Sequence, residues 1–285
     1  MSIFQTKAYL DLFARHFVLT KSSVIDETFE ILTDKKAVLL GMKPVLNNQE
    51  ITDFGDIGPI SEDDLRQSIQ TLRDVHHVSS IQFDYIKESS PLFKILSTIS
   101  KTSPILQEVS PYIVLPDSWE IYLESLERTD RKELKRKFRR LDTVNHAIRY
   151  IDSEMGDVFE EFVRLHRLSD ASKNQFMTEP MKNFFRELLA LEIPGWQPKL
   201  AVLSIEDKPV SSVFYFESEK EILLYNSGYD PEQKMYSVGL LLIASLIKKS
   251  IENHKSKFDF LRGNERYKYD LGAKDERLFQ FIISS

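Results

Sequence analysis

No cysteine occurs among the 285 residues. That excludes disulfides, thiolate zinc sites and a cysteine nucleophile. No apolar run approaches the ~18 residues needed to cross a bilayer. The opening Met1-Ser2-Ile3-Phe4-Gln5-Thr6-Lys7 has no basic segment leading into an apolar core, so no signal peptide is expected and a cytoplasmic location is the default. A basic excess is also missing: the net charge of −6 argues against wholesale nucleic-acid binding and against DNA as a partner, while leaving room for local basic patches. No G-x-S-x-G elbow is present, and the histidines, His76-His77 included, show no ligand spacing such as H-E-x-x-H, so no metal is expected.

What is present is an ordinary globular composition, 42% apolar and 29% charged, in a length that suits one large domain or two smaller ones. The chain is organised around Ile222 to Gly263. A strand (Glu221 to Ser227), a loop (Gly228 to Tyr236), a long apolar helix (Ser237 to Asn253) and a second strand (Lys257 to Leu261) form a βαβ unit with parallel strands. The turn Lys234-Met235-Tyr236-Ser237-Val238-Gly239 enters the helix directly at Leu240. A helix start leaves its first amides unpaired, and with the dipole they suit an anion such as a phosphate. Ser237 is the expected N-cap, accepting from Gly239 or Leu240. Gly239 would let a bulky anion reach the backbone, and Lys234 adds charge.

This turn resembles the pyrophosphate loop of the GNAT N-acyltransferase superfamily, with Lys234 where Arg or Gln is usual and Gly239 as its one glycine. Gly228-Tyr229-Asp230-Pro231, Phe258-Asp259-Phe260-Leu261-Arg262-Gly263 and Tyr267-Lys268-Tyr269-Asp270-Leu271-Gly272 bring the chain closer to CelD-like acetyltransferases, which are similar to Fem-type peptidyltransferases. The resemblance is detailed over the second half of the chain and an outline over the first. It implies an α+β fold (a mixed α/β sheet) of tandem GNAT-like domains, with acetyl-CoA or another acyl-CoA as co-substrate. The donor would meet Asn226, Ser227, Gly228, Lys234, Met235, Tyr236, Ser237, Val238, Gly239 and Leu240.

Before that unit the expected elements are a strand (His146 to Ile151), a helix (Glu154 to Leu168), a polar loop (Ser169 to Glu179), a helix (Pro180 to Leu191) and strands Lys199 to Ile205 and Val210 to Phe216. Leu278 to Ile283 is a last strand. The first half shows an amphipathic helix (Ala8 to Phe17, with Leu10, Phe13, Ala14 and Phe17 on one side), strands at Thr28 to Leu32, Ala37 to Met42 and Gln49 to Phe54, and a helix opened by Ser61-Glu62-Asp63-Asp64. A strand (Ser79 to Ile86), a helix (Pro91 to Ser100) and one or two strands (Ile105 to Leu115) follow. The turn Gly55-Asp56-Ile57-Gly58-Pro59-Ile60 carries acids and no base, a poor phosphate cradle, so residues 1–143 read as a degenerate copy. Asp53 and Asp56 either face the acceptor or belong to a solvated turn. Ser118 to Leu141 reads as one helix with eight cations from Arg128 onward. These form either a solvated face or a patch for CoA phosphates, an acidic lipid surface or tRNA. A comparable basic helix joins the halves in the related families, which places the boundary near Thr143 and the donor-binding domain at residues 144–285.

Direct attack by an amine needs a held thioester, a neutral amine and stabilised charge on the thioester oxygen, and no protein nucleophile. By analogy that oxygen takes a backbone amide around Asn226 to Gly228. Asp259 could bind or deprotonate the acceptor, or pair with a local cation. Tyr225 could protonate the thiolate, or be core. Arg262 and Lys268 are carried over from the Fem-like stretch, against a reading as exposed cations. His166 lies near the expected acceptor cleft, against a reading as a half-buried histidine. The expected function is acyl-CoA-dependent transfer to the amine of a small molecule, amino sugar or peptide. The alternatives are a Fem-type aminoacyl-tRNA-dependent transferase and a GNAT-fold binding protein without turnover.

Overall fold

The computed structural model describes residues 3–17, 22–26, 29–33, 36–39, 51–57, 59–75, 77–151 and 156–284. Of the positions used above, Met1, Ser2, Thr28, Leu40 to Met42, Gln49, Glu50, Gly58, His76, Glu154 and the side chains of Leu10 and Ala14 lie outside them. The chain forms two compact units, residues 1–110 with 276–285, and residues 111–275.

The first unit contains helix α1 (Lys7–His16), strands β1 (Ser22–Asp26), β2 (Phe29–Thr33) and β3 (Lys36–Leu39), helix α2 (Glu62–Asp74), strand β4 (Ser80–Lys87), helix α3 (Pro91–Ile99) and the start of β5 (Ile105–Val114). Ser61 caps α2 by accepting from the Asp64 amide, as its sequence demands. Strands β1 to β3 form an antiparallel meander, and β3 pairs parallel with β4. Ile51 to Phe54, expected as a strand, has no regular structure. Its residues are buried, and the Gly55 amide donates to the Tyr85 carbonyl, so tertiary packing takes the place of a ladder. Asp53 and Asp56 are likewise buried rather than set in a solvated turn, and Asp56 Oδ2 accepts from the Lys87 amide at 3.0 Å.

The second unit contains α4 (Trp119–Ser125), α5 (Arg128–Leu141), β6 (His146–Ile151), α6 (Gly156–Ser169), α7 (Ala171–Phe176), α8 (Glu179–Leu189), β7 (Gln197–Ile205), β8 (Lys208–Glu217), β9 (Glu221–Tyr229), α9 (Val238–Glu252), β10 (Lys257–Asp259) and α10 (Arg266–Asp270). A last strand, β11 (Lys274–Ser284), pairs antiparallel with β4 in the first unit's part of the chain. Strands β6 to β9 pair antiparallel in succession, β9 and β10 pair parallel as expected, and β10 pairs antiparallel with the end of β5.

Alternation along β8 shows how this sheet is covered. Val213 and Tyr215 face a core shared with α4, α5 and α9, whereas Phe214 meets Phe162 and Phe185 of α6 and α8. Helix α9 is apolar almost all round because it is buried on several sides.

Two expectations fail here. The helix expected over 118–141 is broken at Leu126, whose backbone is extended (φ −71°, ψ 148°) and whose side chain is buried. The polar loop expected at Ser169 to Glu179 contains α7, capped by Asp170, which accepts from the Lys173 amide at 2.9 Å.

Candidate active site at the start of the buried helix

The parallel pair β9–β10 has a short register, from Lys257 opposite Glu221 to Asp259 opposite Leu223. Strand β9 continues to Tyr229, so beyond Leu223 it runs without β10 beside it. Tyr225 is the extra residue of a bulge against β8, between the pairs Phe214–Asn226 and Tyr215–Leu224.

After β9 a 3₁₀ turn, Pro231–Tyr236, delivers the chain to α9. Ser237 is left-handed (φ 54°, ψ 39°), and its side chain makes no cap. This corrects the N-cap expectation: the amide of Ser237 closes the preceding turn on the Lys234 carbonyl, and its side chain does not reach the first amides of the helix. The first bond of α9 runs from Leu241 N to Ser237 O at 3.0 Å, so the amides of Val238, Gly239 and Leu240 have no partner within the helix. A cavity of about 350 Å³ opens at this point. Of the residues expected to meet the donor, Ser227, Lys234, Ser237, Val238, Gly239 and Leu240 line it. Asn226, Gly228, Met235 and Tyr236 do not line it. Met235 points outward, and its carbonyl accepts from Arg140 of α5 at 3.1 Å.

Among the other wall residues, Lys137 belongs to the basic run offered for CoA phosphates and Tyr267 to the Fem-like stretch, whereas Lys173 was not singled out in the sequence. Lys137 comes from α5, Lys173 from α7 and Tyr267 from α10. Lys173 is the informative one, because its Nζ donates to the Ser227 carbonyl at 2.6 Å. Burial lowers the pKa of this ammonium, against the opposing fields of Asp170 and Glu265. No local signal marks it, since a lysine in a Ser/Asp-rich stretch reads as surface. Among the described residues Asp270 is the one carboxylate on the cavity wall, paired with Arg266 at 2.8 Å.

The edge of β9 that β10 leaves bare is already occupied. Asn226 Oδ1 accepts from the Ser227 amide at 3.0 Å, Lys173 holds the Ser227 carbonyl, and Ser169 Oγ accepts from the Tyr229 amide at 2.8 Å. Of the amides from Asn226 to Gly228, one of which was expected to meet a thioester oxygen, that of Ser227 is thus engaged by the neighbouring side chain.

None of the five side chains expected to act in catalysis lines this cavity. Tyr225 stacks on Phe185 (5.4 Å between centroids) and meets Phe214 edge-on. Asp259 is fully buried, pairing with Lys257 Nζ at 2.8 Å and accepting from the Leu261 amide at 2.9 Å. Arg262 is half-buried. Lys268 is buried rather than exposed. Its Nζ donates to the carbonyls of Arg262 (2.8 Å) and Gly263 (2.9 Å) and pairs with Glu265, tying down a loop that holds Leu261 at φ 58°.

His166 is 1% exposed, and its Nε2 lies 2.8 Å from Asn226 Oδ1. Because that oxygen already accepts from the Ser227 amide, Nε2 is the donor, while Nδ1 is buried with no partner among the described residues. Burial, with Lys173 as a second cause, lowers its pKa to about 3. Unfolded, the same ring takes a proton near pH 6.5. Its contribution to stability is therefore complete above that pH and is lost as the pH falls from 6.5 towards 3. Between pH 7 and pH 5 the protein is expected to lose about 2 kcal/mol more than a His166→Gln variant. Urea unfolding at the two pH values checks this, and equal losses in the two proteins would show that the buried ring carries no such linkage.

Residues 128–269 match the acetyltransferase (GNAT) domain model. The chain carries a GNAT domain. Similar solved structures extend the likeness over nearly its whole length. FemX has a TM-score of 0.63 at 8% identity, covering 100% of this chain and 92% of its own. L-PGS from Bacillus licheniformis has 0.59 at 10%, covering 97% and 91%. A C-terminal domain assigned to a lysylphosphatidylglycerol synthetase of Agrobacterium fabrum has 0.62 at 12%, covering 98% and 93%. At these identities the likeness is one of fold. No curated protein matches the chain. The GNAT domain makes this a transferase of the acyltransferase kind, and no helix among the described residues is long and apolar enough to cross a membrane.

Proposed function

We propose that the GNAT domain transfers an acyl group, in the simplest case acetyl from acetyl-CoA, to the amine of a small molecule, amino sugar or peptide by direct attack. The observation that carries this reading is the cavity in which the unpaired amides of Val238, Gly239 and Leu240 meet Lys137, Lys173 and Lys234. Such a combination suits a diphosphate: the amides and helix dipole supply direction, and Lys137 and Lys234 supply charge. Residues 1–110 with 276–285 are read as a degenerate companion domain and residues 111–275, which hold the cavity and Lys137 on its wall, as the donor-binding one, working in the cytoplasm without a metal.

One observation favours a second donor, aminoacyl-tRNA. The bare edge of β9 is taken up by Asn226, Lys173 and Ser169, leaving little for the amide-rich arm of CoA to pair with. Helix α5 meanwhile exposes Lys132, Lys135, Arg136, Arg139 and Arg140, a row suited to a polyanion.

Thermal melts separate the readings. Acetyl-CoA at ~100 times its Kd is expected to stabilise the protein by about 2.7 kcal/mol, a rise of roughly 5 to 10 °C. No rise with acetyl-CoA, combined with a rise on adding aminoacyl-tRNA, would transfer the assignment to the second donor. A rise with acetyl-CoA but no thiol release across a library of amines would point to a binding protein.

A further inference from the structure

Lys173 is held differently from the other two lysines on the cavity wall. Lys234 is exposed, and Lys137 lies 3.8 Å from Glu133. Lys173 forms no ion pair among the described residues; its ammonium rests on one neutral carbonyl, that of Ser227, at 2.6 Å. That carbonyl lies on the stretch of β9 that β10 leaves bare, and the same stretch leads through Tyr229 to the turn before α9. A donor anchored by phosphate at Val238 to Leu240 and extended along this stretch passes Ser227 and must displace the ammonium to reach the strand. An ammonium deprived of its acceptor in a poorly solvated place sheds its proton readily. The burial that already lowers the pKa of Lys173 acts in the same direction.

We propose that Lys173 is a self-acylation site, at which the protein moves the acyl group of bound acyl-CoA onto its own Nζ. This rests on acyl-CoA being the donor at this cavity. The neutral amine attacks the thioester carbonyl, a C–N bond forms and the C–S bond breaks. The departing sulfur receives the proton given up by nitrogen, so the products are an amide and free CoA thiol, with no change of oxidation state. The acylated nitrogen keeps one N–H with which to return to the Ser227 carbonyl, while its charge is lost and its acyl group fills the cavity. Acylation at this position would therefore close the donor site.

The full chain incubated with acetyl-CoA is digested and the acetyl occupancy of each lysine is followed by mass spectrometry. The exposed Lys132 and Lys248 serve as internal references. Lys173 is expected to react about tenfold faster than they do or more, as an amine freed of its proton would, and excess CoA thiol is expected to suppress Lys173 alone. Reaction at Lys173 no faster than at the references, or unaffected by CoA, overturns the proposal. A parallel melt with CoA separates the two readings. If CoA stabilises the protein and Lys173 remains unmodified, self-acylation falls and the donor assignment stands. If CoA gives no stabilisation and Lys173 remains unmodified, both fall.

Discussion

Replacing Gly228 with alanine is expected to destabilise the protein by about 3 kcal/mol or more, lowering its melting temperature by roughly 6 to 12 °C. A Cβ at Gly228 would lie 2.3 Å from the backbone N of His166, 2.5 Å from its Cα and 2.5 Å from the carbonyl carbon of Leu165. All three are main-chain atoms of α6, so no side chain can swing aside, and the helix itself would have to lift off β9. The approach is also what brings His166 within 2.8 Å of Asn226, so the substitution breaks that contact as well. Gly156, at the other end of the same helix, is the control, since a Cβ there meets nothing within 4 Å. Gly156→Ala is expected to change stability by less than about 1 kcal/mol, in the stabilising direction. Far-UV circular dichroism melts of both variants check the pair; similar behaviour would mean that α6 and β9 are not packed this closely.

The second large effect concerns ligand affinity. Gly239→Glu is expected to weaken acetyl-CoA binding by about 100-fold or more while the protein stays folded, because a carboxylate enters a cavity suited to phosphate. A first-turn glutamate is itself favourable to a helix, so loss of fold is not the expected route. Geometry supplies a second variant. A Cβ at Gly239 would lie 3.2 Å from Tyr229 Cδ1, an aromatic ring that has only to give by a few tenths of an ångström. Gly239→Ala is therefore expected to retain most of the affinity. Isothermal titration of the two variants distinguishes a charge effect from crowding, and undiminished binding by the glutamate variant would remove the phosphate site from this helix.

The βαβ unit was legible in the sequence because an apolar run of helical length lies between two β-rich runs, and local pattern and tertiary burial agree there. The break at Leu126 was not legible. Nothing between Ser118 and Leu141 interrupts helical propensity; the break places Leu126 in the core, where its Cδ2 lies 2.7 Å from the position a Cβ on Gly272 would take. A contact across so much sequence leaves no local trace. The same holds at the site. The helix-start amides, Lys234 and Gly239 follow from a turn next to a helix, and the structure gathers them around one cavity. Lys137, Lys173 and Tyr267 arrive from three other elements, and only the fold reveals that they meet. Lys268 and Asp259 were chosen for their chemistry, yet their partners are a loop's carbonyls, a neighbouring lysine and a backbone amide, which the sequence could not specify.

The occupied edge of β9 bears on how an extended peptide could be recognised. Strand addition requires main-chain donors and acceptors left open along an edge. At Ser227 and Tyr229 those groups are already satisfied by Asn226, Lys173 and Ser169. A polypeptide arriving there would find no ladder to join, so any preference among such acceptors must come from their side chains or termini, and sequence-independent capture of unfolded chains along this strand is disfavoured.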